Sequence, residues 1–119
     1  MHLKNSKIIV IKIGSSILFD HKKQIRKKWL ISLAKDVKRL KSKNKKVIIV
    51  SSGAIALGCK KINYNKSNLK LEKSQAIASI GQIELMNLFS QTFLKYKLNI
   101  SQILLTLDDT EERRRSINA

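Results

Sequence analysis

Two short runs of β-branched apolar residues constrain the fold of this chain more than any other feature. K-I-I-V-I-K-I occupies residues 7–13, and K-V-I-I-V-S occupies residues 46–51. Each run has strand length and is followed by small residues that are typical of a tight turn. Because the apolar residues are continuous rather than alternating, we expect strands of a parallel sheet that is covered on both faces.

The segment between these strands has the pattern of an amphipathic helix over residues 24–42. Its apolar side chains recur at spacings of four, four, four and three residues, and lysines occupy the opposite side. The stripe consists of Ile25, Trp29, Leu33, Val37 and Leu40, widened by Leu30 and Ala34. Asn44 marks the end of the helix. Strand, helix and strand in this order predict a parallel βαβ unit.

The second half of the chain continues the alternation. It predicts a short helix over 54–60, a polar loop over 61–73, a long helix over 74–96 and a third strand over 100–106. The expected buried side of the long helix is Ala76, Ile77, Ile80, Ile83, Met86, Leu88, Phe89 and Phe93. Gly81 within it predicts a close approach to the sheet. The fold class is therefore α/β, a three-layer sandwich with a mainly parallel sheet, incomplete in this chain.

The length and composition limit the classes of protein to which the chain can belong. With 119 residues and 43% hydrophobic content, the chain is long enough for one small globular domain. No apolar run approaches the roughly 20 residues of a membrane span, so no membrane association is expected. The single cysteine, Cys59, excludes an internal disulfide and suits the reducing cytoplasm.

The net charge of +17 has two interpretations. A nucleic acid or an anionic membrane surface would be attracted to such a chain. Alternatively, the lysines only cover solvated helix faces. The few aromatic residues are not interleaved with the basic runs, as a platform for base stacking requires. We therefore favour the second interpretation and do not expect specific nucleic acid binding.

The most informative charge is Lys12, close to the end of the first apolar strand. It precedes the turn Gly14-Ser15-Ser16, and the second strand runs into Ser51-Ser52-Gly53-Ala54. Ligands of parallel sheets bind at the carboxyl ends of the strands. Small residues and hydroxyls there allow an anion to approach the backbone. Neither of the well-known glycine-rich phosphate loops is present, so the turns alone leave a phosphate site and a plain tight turn as alternatives.

Four blocks in this order carry a family resemblance. They are V-I-K-I-G-S-S, V-S-S-G-A-I-A-L-G, Q-A-I-A-S-I-G-Q-I-E-L-M and I-L-L-T-L-D-D-T-E-E-R-R-R-S-I-N-A. Together they resemble the amino acid kinase superfamily, and the combination resembles its branch that phosphorylates glutamate. The resemblance spans nearly all of residues 7–119. It implies ATP-dependent phosphorylation of the L-glutamate γ-carboxylate in proline biosynthesis, with ATP and Mg²⁺ as cofactors.

The resemblance also implies roles for residues of both turns. Lys12 resembles the family lysine that contacts the nucleotide phosphates and supports the transition state, which makes it the catalytic candidate. Gly14 and Ser15 resemble the turn beneath the phosphates of ATP.

The second turn resembles the part of the family that binds the amino acid substrate. There Ser52, Gly53 and Ala54 are the candidates for binding L-glutamate. No residue is assigned to a metal, because Asp108 and Asp109 stand at a predicted helix start, where N-capping is the better interpretation.

The resemblance covers only the N-terminal part of a kinase domain. The nucleotide-binding half and any C-terminal domain are expected beyond residue 119, so these residues alone are expected to be inactive. The complete enzyme is expected to be a homo-oligomer. Two alternatives stay open: another superfamily member acting on a different carboxylate, carbamate or phosphate, and a small basic module that binds RNA or another polyanion.

Overall fold

The computed structural model describes residues 4–64 and 70–104. Its elements, in chain order, are β1 (Ile8–Ile13), α1 (Ser15–Leu18), α2 (Lys27–Ser42), β2 (Lys46–Ser51), α3 (Ala54–Ile62) and α4 (Leu71–Leu94). The two strands are parallel, and their register places Ile8 opposite Lys46 and Ile13 opposite Ser51. The predicted βαβ unit is therefore confirmed. None of the helices in these two ranges is long and apolar enough to cross a membrane.

The hydrophobic core lies on one face of the sheet. Ile9 and Ile13 are buried there, and Ile13 belongs to one core cluster with residues of α2 and α4. The predicted apolar stripe of α2 faces this core, with Leu33 and Val37 buried. The helix begins at Lys27 rather than at residue 24. Ile25 instead forms an isolated antiparallel bridge with Phe19, because residues 19–25 make a tight loop before the helix.

The opposite face of the sheet is not covered by the residues that the structure describes. Its four apolar side chains are about half exposed: Ile8 55%, Val10 60%, Ile48 50% and Val50 49%. The expectation of a sheet covered on both faces is thus met on one face within residues 4–64 and 70–104. The α/β class with a parallel sheet is confirmed, in the incomplete form that the sequence predicts.

α4 begins three residues earlier than predicted, and its buried side differs in part from the prediction. The buried line consists of Ile77, Gly81, Leu85, Phe89 and Phe93 at a constant spacing of four. Leu85 was not among the predicted residues. Ile83 is 65% exposed, and Ala76 and Ile80 are also exposed, so these three predictions are wrong. The helix is apolar on two sides, and periodicity alone does not choose between them.

The predicted third strand is wrong where the structure can test it. Residues 100–104 have no strand structure, because among the described residues β1 and β2 pair only with each other. Residues 105–106, Asp108, Asp109 and the predicted helix after them lie outside the described residues.

The predicted stop at Asn44 is confirmed by the geometry of the helix end. Asn44 has a left-handed φ of 58°. Its N–H donates to the Lys41 carbonyl at 3.0 Å, and the Lys45 N–H donates to the Leu40 carbonyl at 3.1 Å. These two bonds satisfy carbonyls that the end of a helix otherwise leaves unpaired, and they direct the chain back into β2.

Candidate functional site

The carboxyl ends of β1 and β2 lie side by side. The register pairs Ile13 with Ser51, and the Ser52 N–H donates to the Ile13 carbonyl at 3.1 Å. The turn after β1 (residues 14–16, the β1 turn) and the turn after β2 (residues 52–54, the β2 turn) therefore start at the same edge of the sheet. This placement is the one at which open parallel sheets bind ligands.

The structure brings the hydroxyls of the two turns together. Ser15 Oγ and Ser52 Oγ are 3.4 Å apart, although 37 positions separate these residues in sequence. Each hydroxyl has one proton to donate and can also accept. Two candidate residues, predicted from separate motifs, thus face a single location.

Helix N-termini add partial positive charge at the same edge. α3 begins at the β2 turn with Gly53 as its N-cap, and no side chain caps it. The short helical turn α1 likewise begins after Gly14 without a side-chain cap. The first N–H groups of a helix have no partner inside the helix, and the aligned peptide dipoles favour a negative group there. An anion is therefore the ligand that this edge favours.

Glycine is needed at these two positions of the turns for different structural reasons. A Cβ added at Gly14 would meet only Ser16 Oγ, at 3.9 Å, so the space beside Gly14 is open. Gly53 has a φ of 124°, a conformation that residues with a side chain rarely adopt. Gly14 thus leaves room beside the backbone, whereas Gly53 gives the β2 turn its shape.

Lys12 is exposed and lies on the sheet face opposite the core. It stands next to Ile13 in β1 and opposite Val50 in the register. Its charge is therefore not buried and needs no partner for folding. In the described part of the chain the ion pairs are Arg39–Asp36 and Lys61–Glu84, and Lys12 belongs to neither. Its ammonium group is available to an external anion.

The donor types at this edge fit an anion better than a metal ion. Hydroxyls, backbone N–H groups and an ammonium are present, which suits phosphate or carboxylate. Over residues 4–64 and 70–104 there is no group of three His, Cys, Asp or Glu side chains that could hold a metal. The residues of this edge therefore fit the phosphates of ATP and a carboxylate substrate, and they offer no ligand set of their own for Mg²⁺.

Sequence reasoning missed two contacts of the β2 turn. Gly81 of α4 was expected to approach the sheet. That expectation is wrong, because its Cα lies against the Ala54 carbonyl in α3. The ring of Phe19 lies beside Gly53 on another side of the turn. Gly58 in α3 was the available signal for the first contact, since two helices that cross closely each need a small residue there.

Comparison with known proteins gives the class of the protein. The amino acid kinase family matches residues 7–119. The chain belongs to this family, which confirms the resemblance that the four sequence blocks carry.

Three relatives with high sequence identity are each named as a glutamate 5-kinase. Glutamate 5-kinase of Pelagibacter ubique (strain HTCC1062) is 72% identical over 119 residues, which is 100% of this chain and 32% of the relative. Glutamate 5-kinase of Bartonella henselae is 53% identical over 98% of this chain and 31% of the relative. Glutamate 5-kinase 1 of Rhizobium meliloti is 47% identical over 98% of this chain and 30% of the relative. The chain spans about a third of the length of these relatives.

Proposed function

We propose that this chain forms the N-terminal part of an enzyme that phosphorylates L-glutamate. The enzyme transfers the γ-phosphoryl group of ATP to the γ-carboxylate of L-glutamate, giving γ-glutamyl phosphate and ADP, the first step of proline biosynthesis. The observation that carries the proposal is the 3.4 Å approach of Ser15 Oγ to Ser52 Oγ at the carboxyl edge of the sheet. The name of the relatives, glutamate 5-kinase, supports the choice of substrate.

The β1 strand and the β1 turn are assigned to the phosphates. Lys12 is the catalytic residue, since its free ammonium can neutralise negative charge that spreads over the phosphoryl group during transfer. Gly14 leaves space for the phosphates beside the backbone, and Ser15 supplies a hydroxyl donor. An ammonium group, open space beside the backbone and a hydroxyl donor are thus the features that this side of the site offers to the phosphates.

The β2 turn is assigned to the substrate. The Ser52 hydroxyl and the backbone of Gly53 and Ala54 bind L-glutamate, and the uncapped N-terminus of α3 favours its negative charge. Because Ser52 lies beside Ser15, a carboxylate held by one turn would lie next to a phosphate held by the other. Such alignment supplies much of the rate enhancement in phosphoryl transfer.

The remaining parts of the enzyme are assigned outside this chain. The nucleotide-binding half, which would complete the ATP site, corresponds to the two thirds of the relatives that this chain does not match. Mg²⁺ would enter with ATP and neutralise phosphate charge. We place the complete enzyme in the cytoplasm as a homo-oligomer.

A chimera tests the proposal. This chain replaces the segment it matches in the Pelagibacter ubique relative, so that the rest of a kinase domain is supplied. The purified chimera is incubated with ATP, magnesium and L-glutamate. Hydroxylamine then converts the acyl phosphate into a coloured hydroxamate. The unmodified relative is the positive control, and L-aspartate replaces L-glutamate as the negative control.

Hydroxamate with L-glutamate and none with L-aspartate is the expected result. A folded chimera without hydroxamate contradicts the proposal. In that event, activity on another carboxylate, carbamate or phosphate would identify a different kinase of the family. Steeply salt-dependent RNA binding without any kinase activity would instead support the basic binding module.

A further inference from the structure

Two contacts outside the predicted site hold the β2 turn. Both involve residues that have no polar group to offer a ligand, Phe19 and Gly81. They reach the turn from different elements, since Phe19 follows α1 and Gly81 lies in α4. Their contribution to the site is therefore through packing.

Phe19 connects the two turns of the site. A Cβ added at Gly53 would lie 3.3 Å from Phe19 Cε2 and 3.4 Å from Leu18 Cδ2. Phe19 is also the C-cap of α1, and its N–H donates to the Ser15 carbonyl at 3.0 Å. The same residue thus contacts the β2 turn through its ring and the β1 turn through its backbone. A shift of its ring would change the spacing between the turns.

Gly81 holds the β2 turn from the side of α4. An added Cβ at Gly81 would overlap the carbonyl of Ala54, the first residue of α3. Gly58 makes the reciprocal contact, because its added Cβ would overlap the Ile77 carbonyl. Farther along the same crossing, Lys61 Nζ and Glu84 Oε1 form an ion pair at 3.3 Å. The backbones of α3 and α4 therefore touch directly where α3 begins.

We infer that Phe19 and Gly81 are positioning residues that fix the β2 turn relative to the β1 turn. The inference rests on the proposed function, in which these turns hold L-glutamate and ATP. A misplacement of about 1 Å by a residue that does not touch the reacting atoms can reduce the rate about 100-fold. Both residues are therefore expected to affect the use of L-glutamate without contacting it.

A pair of identical substitutions separates positioning from stability. Phe19→Leu in the chimera removes the ring beside Gly53, whereas Phe93→Leu makes the same change in the core, where Phe93 is buried against Phe89. We expect Phe19→Leu to raise KM for L-glutamate and to lower kcat/KM by about 10- to 100-fold. Phe93→Leu should lower the melting temperature and leave that KM unchanged. No rise with Phe19→Leu, or an equal rise with both, would overturn the assignment of Phe19.

A second pair tests Gly81. Alanine has the higher helix propensity, but the added Cβ of Gly81→Ala would overlap the Ala54 carbonyl, so the start of α3 has to move away from α4. We expect this substitution to raise KM for L-glutamate more than KM for ATP. Ser79→Ala, at an exposed position of the same helix, is expected to change neither. A Gly81→Ala chimera with wild-type KM values would overturn the assignment of Gly81.

Hydrogen exchange provides a readout that does not depend on activity. Peptides covering residues 49–57 are followed by mass spectrometry in the unsubstituted and substituted chimeras. We expect faster exchange in these peptides with Phe19→Leu and Gly81→Ala, and no change with the controls Phe93→Leu and Ser79→Ala. This result would support the positioning role even if the chimera forms no hydroxamate. In that event the proposed function fails and the structural inference stands. Unchanged exchange in both substituted chimeras would overturn the inference itself.

Discussion

Both faces of the β1–β2 sheet carry β-branched apolar side chains, but only one of them is covered by the residues that the structure describes. Ile9 and Ile13 on one face are buried, whereas Ile8 and Val10 on the other face are exposed within the described structure. Lys12 belongs to the exposed face. The covered face therefore accounts for stability, while the exposed face carries the charge that we assign to catalysis.

This difference shows how a strand can be apolar on both sides without being buried on both sides. Alternate residues of a strand point to opposite faces, so a continuous apolar sequence is buried on both sides only where two layers cover the sheet. The described residues supply one layer. The exposed apolar face is therefore expected to meet further structure in a complete enzyme.

The largest expected effect concerns the chain without the rest of the enzyme. Because the nucleotide-binding half is assigned elsewhere, the 119 residues alone should form hydroxamate at least about 10,000-fold more slowly than the chimera. The measurement is the hydroxylamine assay at equal protein concentrations. Robust turnover by the chain alone would show that its exposed face needs nothing further for catalysis.

Neighbouring isoleucines on opposite faces test the comparison through stability. Ile9→Ala removes a buried side chain and should lower the free energy of unfolding of this chain by about 3 kcal/mol. Ile8→Ala makes the same change on the exposed face and should lower it by less than about 1 kcal/mol. Urea denaturation followed by circular dichroism measures both. Equal losses would mean that both faces are covered in this chain.

A smaller effect is expected from the hydroxyl of the β2 turn. Ser52→Ala removes one donor to L-glutamate and should lower kcat/KM of the chimera, chiefly through KM, by a factor that corresponds to about 1–3 kcal/mol of lost binding energy. Ser32→Ala, on the exposed side of α2, is the matched control and should leave kcat/KM unchanged. If both substitutions have the same effect, Ser52 does not bind the substrate.

The sequence predicts the elements of this site better than the contacts around it. Strand length, the stop at Asn44 and the two turns follow from local residue chemistry, and these predictions are confirmed. The buried side of α4 could not be predicted in full, because Ile83 and Leu85 are equally apolar and only the tertiary packing of the helix selects between them. For the same reason, Gly81 indicated a close approach but not its partner.

Residues 100–104 show the limit of local patterns in another way. Their sequence has the β-branched and apolar character of a strand, but a strand is stable only when it pairs with a neighbour. Pairing is a property of the whole sheet, and the described sheet contains β1 and β2 alone. The composition of a segment cannot reveal whether its partner is present.

Lys12 is assigned to act on the transferred phosphoryl group, and a comparison of two lysines tests this assignment. Lys12→Ala and Lys46→Ala remove the same charge from the same exposed face, one near the carboxyl ends of the strands and one at the amino end of β2. In the chimera, Lys12→Ala should reduce kcat with ATP and L-glutamate about 100- to 1,000-fold, with an unchanged melting temperature. Lys46→Ala should leave kcat unchanged. If Lys12→Ala reduces kcat no more than Lys46→Ala does, Lys12 is not the catalytic residue.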